Sequence, residues 1–223
     1  MQLKYNVDLV LCIDATGSMA HIIDIVKQNA INLYNDIHQE MEKRRKHIHQ
    51  MRVRVVAFRD YLEDGKDAML TSNFFLLPDQ AADLQACVES IYADGGGDIP
   101  EDGLEALAYA IKSDWTNEGL KKRHIVVVWS DAPTHDIGYG SSSPYYPKGM
   151  PESFSELSTW WDDKQMGGFM NSNAKRLILF APNAPAWNQI SAVWDQVIHV
   201  QTVSEGLTEV NYQQVLDVVS NSI

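Results

Sequence analysis

The sequence predicts an α/β fold: a doubly wound, mostly parallel six-stranded sheet with helices on both faces and one short antiparallel edge strand. Three observations lead there. Short apolar runs of strand length alternate with stretches whose apolar residues recur at helical spacing. The runs at 7–13 and 124–129 are almost continuously apolar, as strands buried on both faces are. No internal repeat and no linker-like stretch interrupts the alternation over 223 residues, so a single domain spanning 1–223 is expected.

Taken in order, the first strand covers 7–13, and Met19, Ile22, Ile23, Val26, Ala30, Leu33 and Ile37 then mark one long amphipathic helix. It ends near Lys43-Arg44-Arg45-Lys46, whose charges suit a solvated helix C-terminus. Residues 51–58 form the second strand, 73–77 the short edge strand and 79–92 a helix. After the glycine-rich, acidic stretch 94–102, a helix starting near Pro100 buries Leu104, Leu107, Ala108 and Ile111. The strand at 124–129 should be central. The Gly-, Ser-, Pro- and Tyr-rich segment 132–151 reads as a long loop and 152–166 as a helix. A strand at 177–181, a helix at 187–194, a strand at 197–200 and a closing helix at about 207–220 complete the pattern.

A net charge of −12 argues against nucleic-acid and anionic-membrane partners, which need positive potential. The two cysteines, Cys12 and Cys87, read as free thiols of a reducing compartment, because Cys12 falls in a buried strand. The N-terminus lacks a basic region followed by a long apolar stretch, and no segment approaches the ~18 apolar residues of a membrane span. A cytoplasmic location is therefore expected.

The first strand ends at Asp14, with Thr16 and Ser18 at the next alternate positions and Gly17 between them. The strand at 124–129 ends at Ser130-Asp131. In a doubly wound sheet ligands sit at the C-terminal strand ends, near the topological switch point. Asp14, Thr16, Ser18, Asp131 and either Asp98 or Glu101 should converge there. Carboxylates gathered without a basic residue repel one another, and a divalent cation resolves the repulsion. Hard oxygen donors select magnesium, manganese or calcium over zinc, and a small shell that keeps waters suits magnesium best. Hydroxyls ligate at little charge cost, and Gly17 lets the backbone turn tightly. The helix expected after Ser18 aims its positive end at the site, favouring an anionic partner group in the metal shell.

Asp14-x-Thr16-x-Ser18, the glycine-rich acidic loop and Ser130-Asp131 together resemble a von Willebrand factor A domain over nearly the whole chain. The D-x-T-G-S-M form is similar to that of intracellular bacterial and protozoan members, including domains associated with protein kinases. The resemblance implies a metal-ion-dependent adhesion site, built on the D-x-[ST]-x-S motif and two further loops. Many relatives place a threonine in the middle loop; Asp98 stands at that place here. The segment DIPEDGLEAL (98–107) also resembles the D-x-P-E-G-G segment in the A-like domains of integrin β-subunits. That likeness implies Glu101 as the main-site ligand, with Asp98 and Pro100 near a second cation.

The function implied is a divalent-metal-dependent adaptor in bacterial signalling or complex assembly, rather than an enzyme. It would bind an acidic group of a protein partner, in a kinase or phosphatase system. Tyr139, Tyr145 and Tyr146, in the loop after Asp131, would contact that partner, since exposed aromatics anchor interfaces. Trp160 and Trp161 lie beyond them, one of the pair expected in the core. Two other readings are a metal-dependent phosphohydrolase and a structural subunit whose metal ties loops together. The D-x-D-x-T motif of haloacid dehalogenase-type phosphatases is broken at Thr16, and GGGDIP lacks the Lys-Ser/Thr of a phosphate-binding loop. His124 reads as a strand-end residue, and His135 as a loop residue with a supporting role near the metal.

Overall fold

Apolar side chains on alternate faces of one sheet organise the chain. In the computed structural model, which describes residues 4–97, 99–202 and 212–223, β1 (Lys4–Asp14) is the central strand. It pairs in parallel with β2 (His47–Phe58) on one side and β5 (Lys121–Trp129) on the other. β6 (Lys175–Pro182) and β7 (Val197–Thr202) continue the parallel sheet beyond β5. Two short antiparallel strands, β3 (Met69–Thr71) and β4 (Phe75–Leu77), both pair with β2. The order is β3-β2-β1-β5-β6-β7, with β4 beside β3 on the β2 edge.

The sheet has seven strands where six were expected. Among the described residues the extra one is β3: the edge strand expected at 73–77 is β4, and the chain just before it, 69–71, also pairs with β2. Ser72 N–H donates to Val55 O and Ser72 Oγ accepts from Val55 N–H, so β3 is held against the C-terminal half of β2. The chain then re-pairs Phe75–Leu77 with the N-terminal half.

Successive strand residues face opposite sides, and both sides are covered. Leu9, Leu11, Ile13, Val53, Val55, Ile125, Val127, Ile178 and Phe180 face α1 (Ile23–Lys43), α2 (Ala81–Glu89) and α6 (Tyr212–Ser222). Val10, Cys12, Val56, Phe58, Val126, Val128, Leu177 and Leu179 face α3 (Gly103–Ile111), α4 (Phe154–Trp161) and α5 (Pro185–Val193). Trp160 and Trp161 are both buried in this second layer, so neither is left for the surface. Asp8, buried inside β1, accepts a bidentate pair from Arg52 at 2.8 and 2.7 Å and the Thr116 N–H at 2.7 Å. Both cysteines are free thiols. Burial pushes the Cys12 thiol up to about 12, so it packs as a small apolar group.

Several boundaries move for local reasons. A 3-10 turn at Gly17–His21 precedes α1, which begins only at Ile23. The backbone just after β1 is already bonded: Ala15 N–H to Phe58 O, Thr16 N–H to Asp14 and Gly17 N–H to Gly95 O. The positive end of α1 is thereby set back from Ser18 by a turn. α3 starts at Gly103, because Glu101 is held as an isolated parallel bridge to Thr134. The segment 152–166 splits into α4 and a 3-10 turn at Lys164–Met166. The closing helix is α6; the start expected at 207–211 lies outside the described residues. No helix among the described residues is long and apolar enough to cross a membrane.

Candidate metal centre

β1 and β5 diverge in their onward connections, which opens a crevice at their C-terminal ends. Asp14 ends β1, fully buried, and both of its oxygens accept hydrogen bonds. Thr16 Oγ donates to Oδ1 at 2.6 Å and Ser130 Oγ to Oδ2 at 2.7 Å. Ser18 Oγ donates to Asp131 Oδ1 at 2.9 Å, linking the first loop to the loop after β5. Thr16 Oγ and Ser18 Oγ face each other at 3.2 Å. Each hydroxyl has one proton, directed to its carboxylate, so these two oxygens present lone pairs to the same space.

Glu101 completes the wall. Its N–H donates to Pro133 O, and its carbonyl accepts from His135 N–H and Thr134 Oγ. The acidic loop is thus fastened to the loop after β5 by backbone, leaving the carboxylate free to turn inward. Glu101 is 4 % exposed, and its Oε2 has no hydrogen-bond partner. Gly96 passes tightly above it with φ +75°, and a Cβ there would lie 2.7 Å from Glu101 Oε1. Thr16, Ser18, Gly96, Glu101 and Asp131 line an open cleft of about 500 Å³, walled on the apolar side by Ile99, Pro133, Pro182 and Ala184. No lysine or arginine is in that lining.

The carboxyls are electrostatically uncomfortable. Burial, reinforced by Asp131, raises Asp14 to about 6 despite its hydrogen bonds. Burial, then repulsion from Asp14, Asp60, Asp64 and Asp102, raises Glu101 to about 9. Asp131 is also raised by burial. A buried orphaned oxygen, facing hydroxyl lone pairs and repelling carboxyls form the donor set a hard divalent cation needs. Among the described residues no three of His, Cys, Asp and Glu gather as a metal cage, so a cation here would need the hydroxyls as donors. Asp98 lies outside the described residues.

Behind this wall sits a second acidic layer that motif reading passed over. Asp60, just beyond the end of β2, accepts from Leu62 N–H and lies 3.1 Å from His135 Nε2. Burial and Glu105 raise Asp102 to about 7, and burial raises Glu105. The signal available was Asp60 directly after a strand neighbouring β1, the same placement that drew attention to Asp131. Ser130, quoted in the sequence only as part of a motif, proves to hold Asp14.

The three tyrosines divide. Tyr139 is half exposed and stacks on His135 with centroids 3.8 Å apart. Tyr145 is exposed, beside Gly65. Tyr146 is tied inward: its hydroxyl donates to Glu105 Oε1 at 2.9 Å and its ring packs edge-on against Tyr61. His124 is buried and stacked on Trp115.

A parallel sheet wrapped by helices, with this cleft at the switch point, defines an α/β domain of the Rossmann-like architecture. Residues 8–139 match the family model described as von Willebrand factor A domain, and the chain belongs to that family. It is 26 % identical over 145 residues to the alpha-protein kinase vwkA of Dictyostelium discoideum, a match covering 65 % of this chain but 21 % of that protein's length. Two crystal structures of the pilus adhesin SpaC from Lactobacillus rhamnosus GG share the fold. One superimposes with a TM-score of 0.58 at 11 % identity, over 97 % of this chain and 30 % of the adhesin. The other, an open conformation, gives 0.55 at 10 % identity, with the same coverages.

Proposed function

We propose that this domain is a divalent-metal-dependent protein-interaction module. Asp14, Thr16, Ser18, Glu101 and Asp131 would hold the cation, directly or through water. Magnesium is the first choice, with manganese and calcium as alternatives. The observation that carries this reading is the unpartnered, buried Oε2 of Glu101, a residue in the wall of a cleft whose other polar side chains are Thr16, Ser18, Asp131 and Asn183. The cation would supply an electrophilic position for an anionic oxygen of a partner protein, an Asp or Glu side chain or a phosphate. Ser130 and Thr16 orient Asp14, and the backbone clasp on Glu101 keeps its carboxylate in the wall. Tyr139 and Tyr145 stand exposed on the loop that follows Asp131, where a partner would meet them. We place that partner in a kinase or phosphatase system of the cytoplasm; the likeness to one segment of an alpha-protein kinase supports the kinase part alone.

The donor chemistry favours an adaptor over a phosphohydrolase. Arg59, the buried arginine near the crevice, donates to the carbonyls of Ala15, Asp67 and Tyr92 and so acts as a loop tie. It has no such role to spare for a transferring phosphoryl group.

Thermal unfolding in magnesium, manganese, calcium or chelator, on wild type and Asp14→Ala, tests the reading. Cation at ~100 times its dissociation constant should stabilise the wild type by about 2.7 kcal/mol and leave the variant unmoved. No shift with any ion would remove the metal from the mechanism. Turnover of a phosphate ester with magnesium would favour the hydrolase instead.

A further inference from the structure

The opposite end of the sheet, where the strands begin, reverses the charge. Parallel pairing sets Tyr5 of β1 beside Lys121 of β5, and His124 beside Lys175 of β6. With Lys4 of β1 also beside His47 of β2, the basic runs 43–46 and 121–123 and Arg176 are drawn to one pole, although the chain as a whole is acidic; Lys175 is buried and paired with Asp195. Lys46 Nζ and Arg123 Cζ both lie over the Tyr5 ring, at 5.6 and 5.7 Å from its centroid. Among the described residues, Lys46, Lys121, Lys122, Arg123 and Arg176 form no ion pair within 4.0 Å. Their repulsion registers locally: burial, then Arg123 and Arg44, lowers Lys46. The cluster is held in place by neutral groups, with Arg123 Nε donating to Ser222 O at 3.1 Å and Lys122 Nζ to Asn117 O at 2.7 Å.

A groove of about 500 Å³ opens beside this cluster, lined by Leu120, Lys121, Lys122, Arg123, Asn171 and Asn173. Leu120 is fully exposed at its mouth. We propose that this basic groove docks a short acidic segment of a protein partner, its carboxylates on Lys121, Lys122 and Arg123 and one apolar side chain on Leu120.

Charge complementarity selects an anion, and the range of the field selects a small one. Beyond a Debye length of about 8–10 Å a large polyanion meets the field of a chain with net charge −12. A duplex or an anionic bilayer extends over that range, whereas a peptide segment confined to the groove feels mainly the local cations. Asn171 and Asn173 offer amide groups that suit a peptide backbone, and a lone leucine inserts too little apolar area to hold a membrane. The groove lies at the strand N-termini, so it works independently of the metal centre.

The test is fluorescence anisotropy of the full chain with a labelled glutamate-rich peptide carrying one central leucine. Its glutamine counterpart, anionic phosphatidylserine vesicles and a single-stranded oligonucleotide serve as competitors. Saturable binding that weakens with salt is expected. Lys121→Glu with Lys122→Glu should weaken it at least ~10-fold, Leu120→Ser less, and chelator or Asp14→Ala not at all. Lys121 is exposed, whereas Lys122 is half-buried with its ammonium on Asn117 O, so Lys121→Glu alone is run beside the double variant and circular dichroism checks that both are folded. The proposal is overturned by absence of binding, by equal binding of the glutamine peptide, or by an unaffected charge-reversed variant. Chelator-sensitive binding would move the peptide to the metal face. Displacement by vesicles or oligonucleotide in preference to the peptide would replace the partner class.

Discussion

Ser18 Oγ donates to Asp131 Oδ1 at 2.9 Å, a hydrogen bond that spans 113 residues of chain and joins the loops after β1 and β5. With the Ser130–Asp14 hydrogen bond it ties the first motif directly to the third. A cation shared by both loops should couple these two residues energetically. Ser18→Ala and Asp131→Ala are each expected to lower magnesium affinity at least tenfold. The double variant should lose less than the sum, with a coupling of roughly 0.5–3 kcal/mol. Calorimetric titration of the four proteins measures it. Strict additivity would mean that the two residues do not serve one ion.

The carboxyl cluster makes the metal-free protein sensitive to alkali. Folded Asp14, Asp102 and Glu101 hold their protons up to about 6, 7 and 9, against usual values of 3.8 for Asp and 4.5 for Glu. Between those usual values and the folded ones the native state binds more protons than the unfolded chain, so stability falls as pH rises. In chelator, the unfolding temperature should drop from about pH 4 and level off near pH 9. Saturating magnesium should flatten that slope, because the cation replaces the protons. A chelated protein that gains stability over this window would contradict the buried-carboxyl account.

Gly96 and Gly149 share φ +75°, but only Gly96 has a neighbour that a Cβ would strike, Glu101 Oε1 at 2.7 Å. Both Gly96→Ala and Gly149→Ala should lose roughly 1 kcal/mol from the left-handed backbone. Gly96→Ala should lose a further ~1–2 kcal/mol and also weaken metal binding, since Glu101 must move. Denaturant unfolding separates the two contributions, and equal losses would deny the contact with Glu101 any energetic weight.

Arg45 closes α1 at φ +58°. Its N–H donates to Glu42 O and the Lys46 N–H donates to Met41 O, the double bond of a glycine-type helix end. A side chain in that conformation costs about 1 kcal/mol, so Arg45→Gly should raise stability by about that amount. Thermal unfolding checks it, and a loss would show that the Arg45 side chain makes a compensating contribution.

Much of this was legible because the relevant physics is local. A continuous apolar run marks a strand buried on both faces, and β1, β5 and β6 are of that kind. Helical spacing from Ile23 to Ile37 is a property of 3.6-residue periodicity alone, whereas Met19, read into the same helix, sits in the 3-10 turn before it. The junctions were less legible because competing hydrogen bonds decide them. α1 starts late since the N–H groups of residues 15–17 are claimed by Phe58, Asp14 and Gly95. β3 and β4 are separate because Ser72 has two bonds to Val55.

By itself the sequence determined the α/β class, the centrality of β1 and β5, and which loops carry oxygen donors, since strand burial and alternation follow from side-chain polarity along the chain. Only the tertiary structure decided what those donors meet. Ser130 holds Asp14, Tyr146 is drawn inward by Glu105, and Glu101 is clasped by the Pro133–His135 backbone with one oxygen left over. The basic pole is likewise a product of register: three cationic stretches far apart in sequence become neighbours because β2, β1, β5 and β6 pair in parallel and begin at one edge. Burial and long-range electrostatics depend on distances that chain order does not contain, and that is why the charge of each face emerged only with the fold.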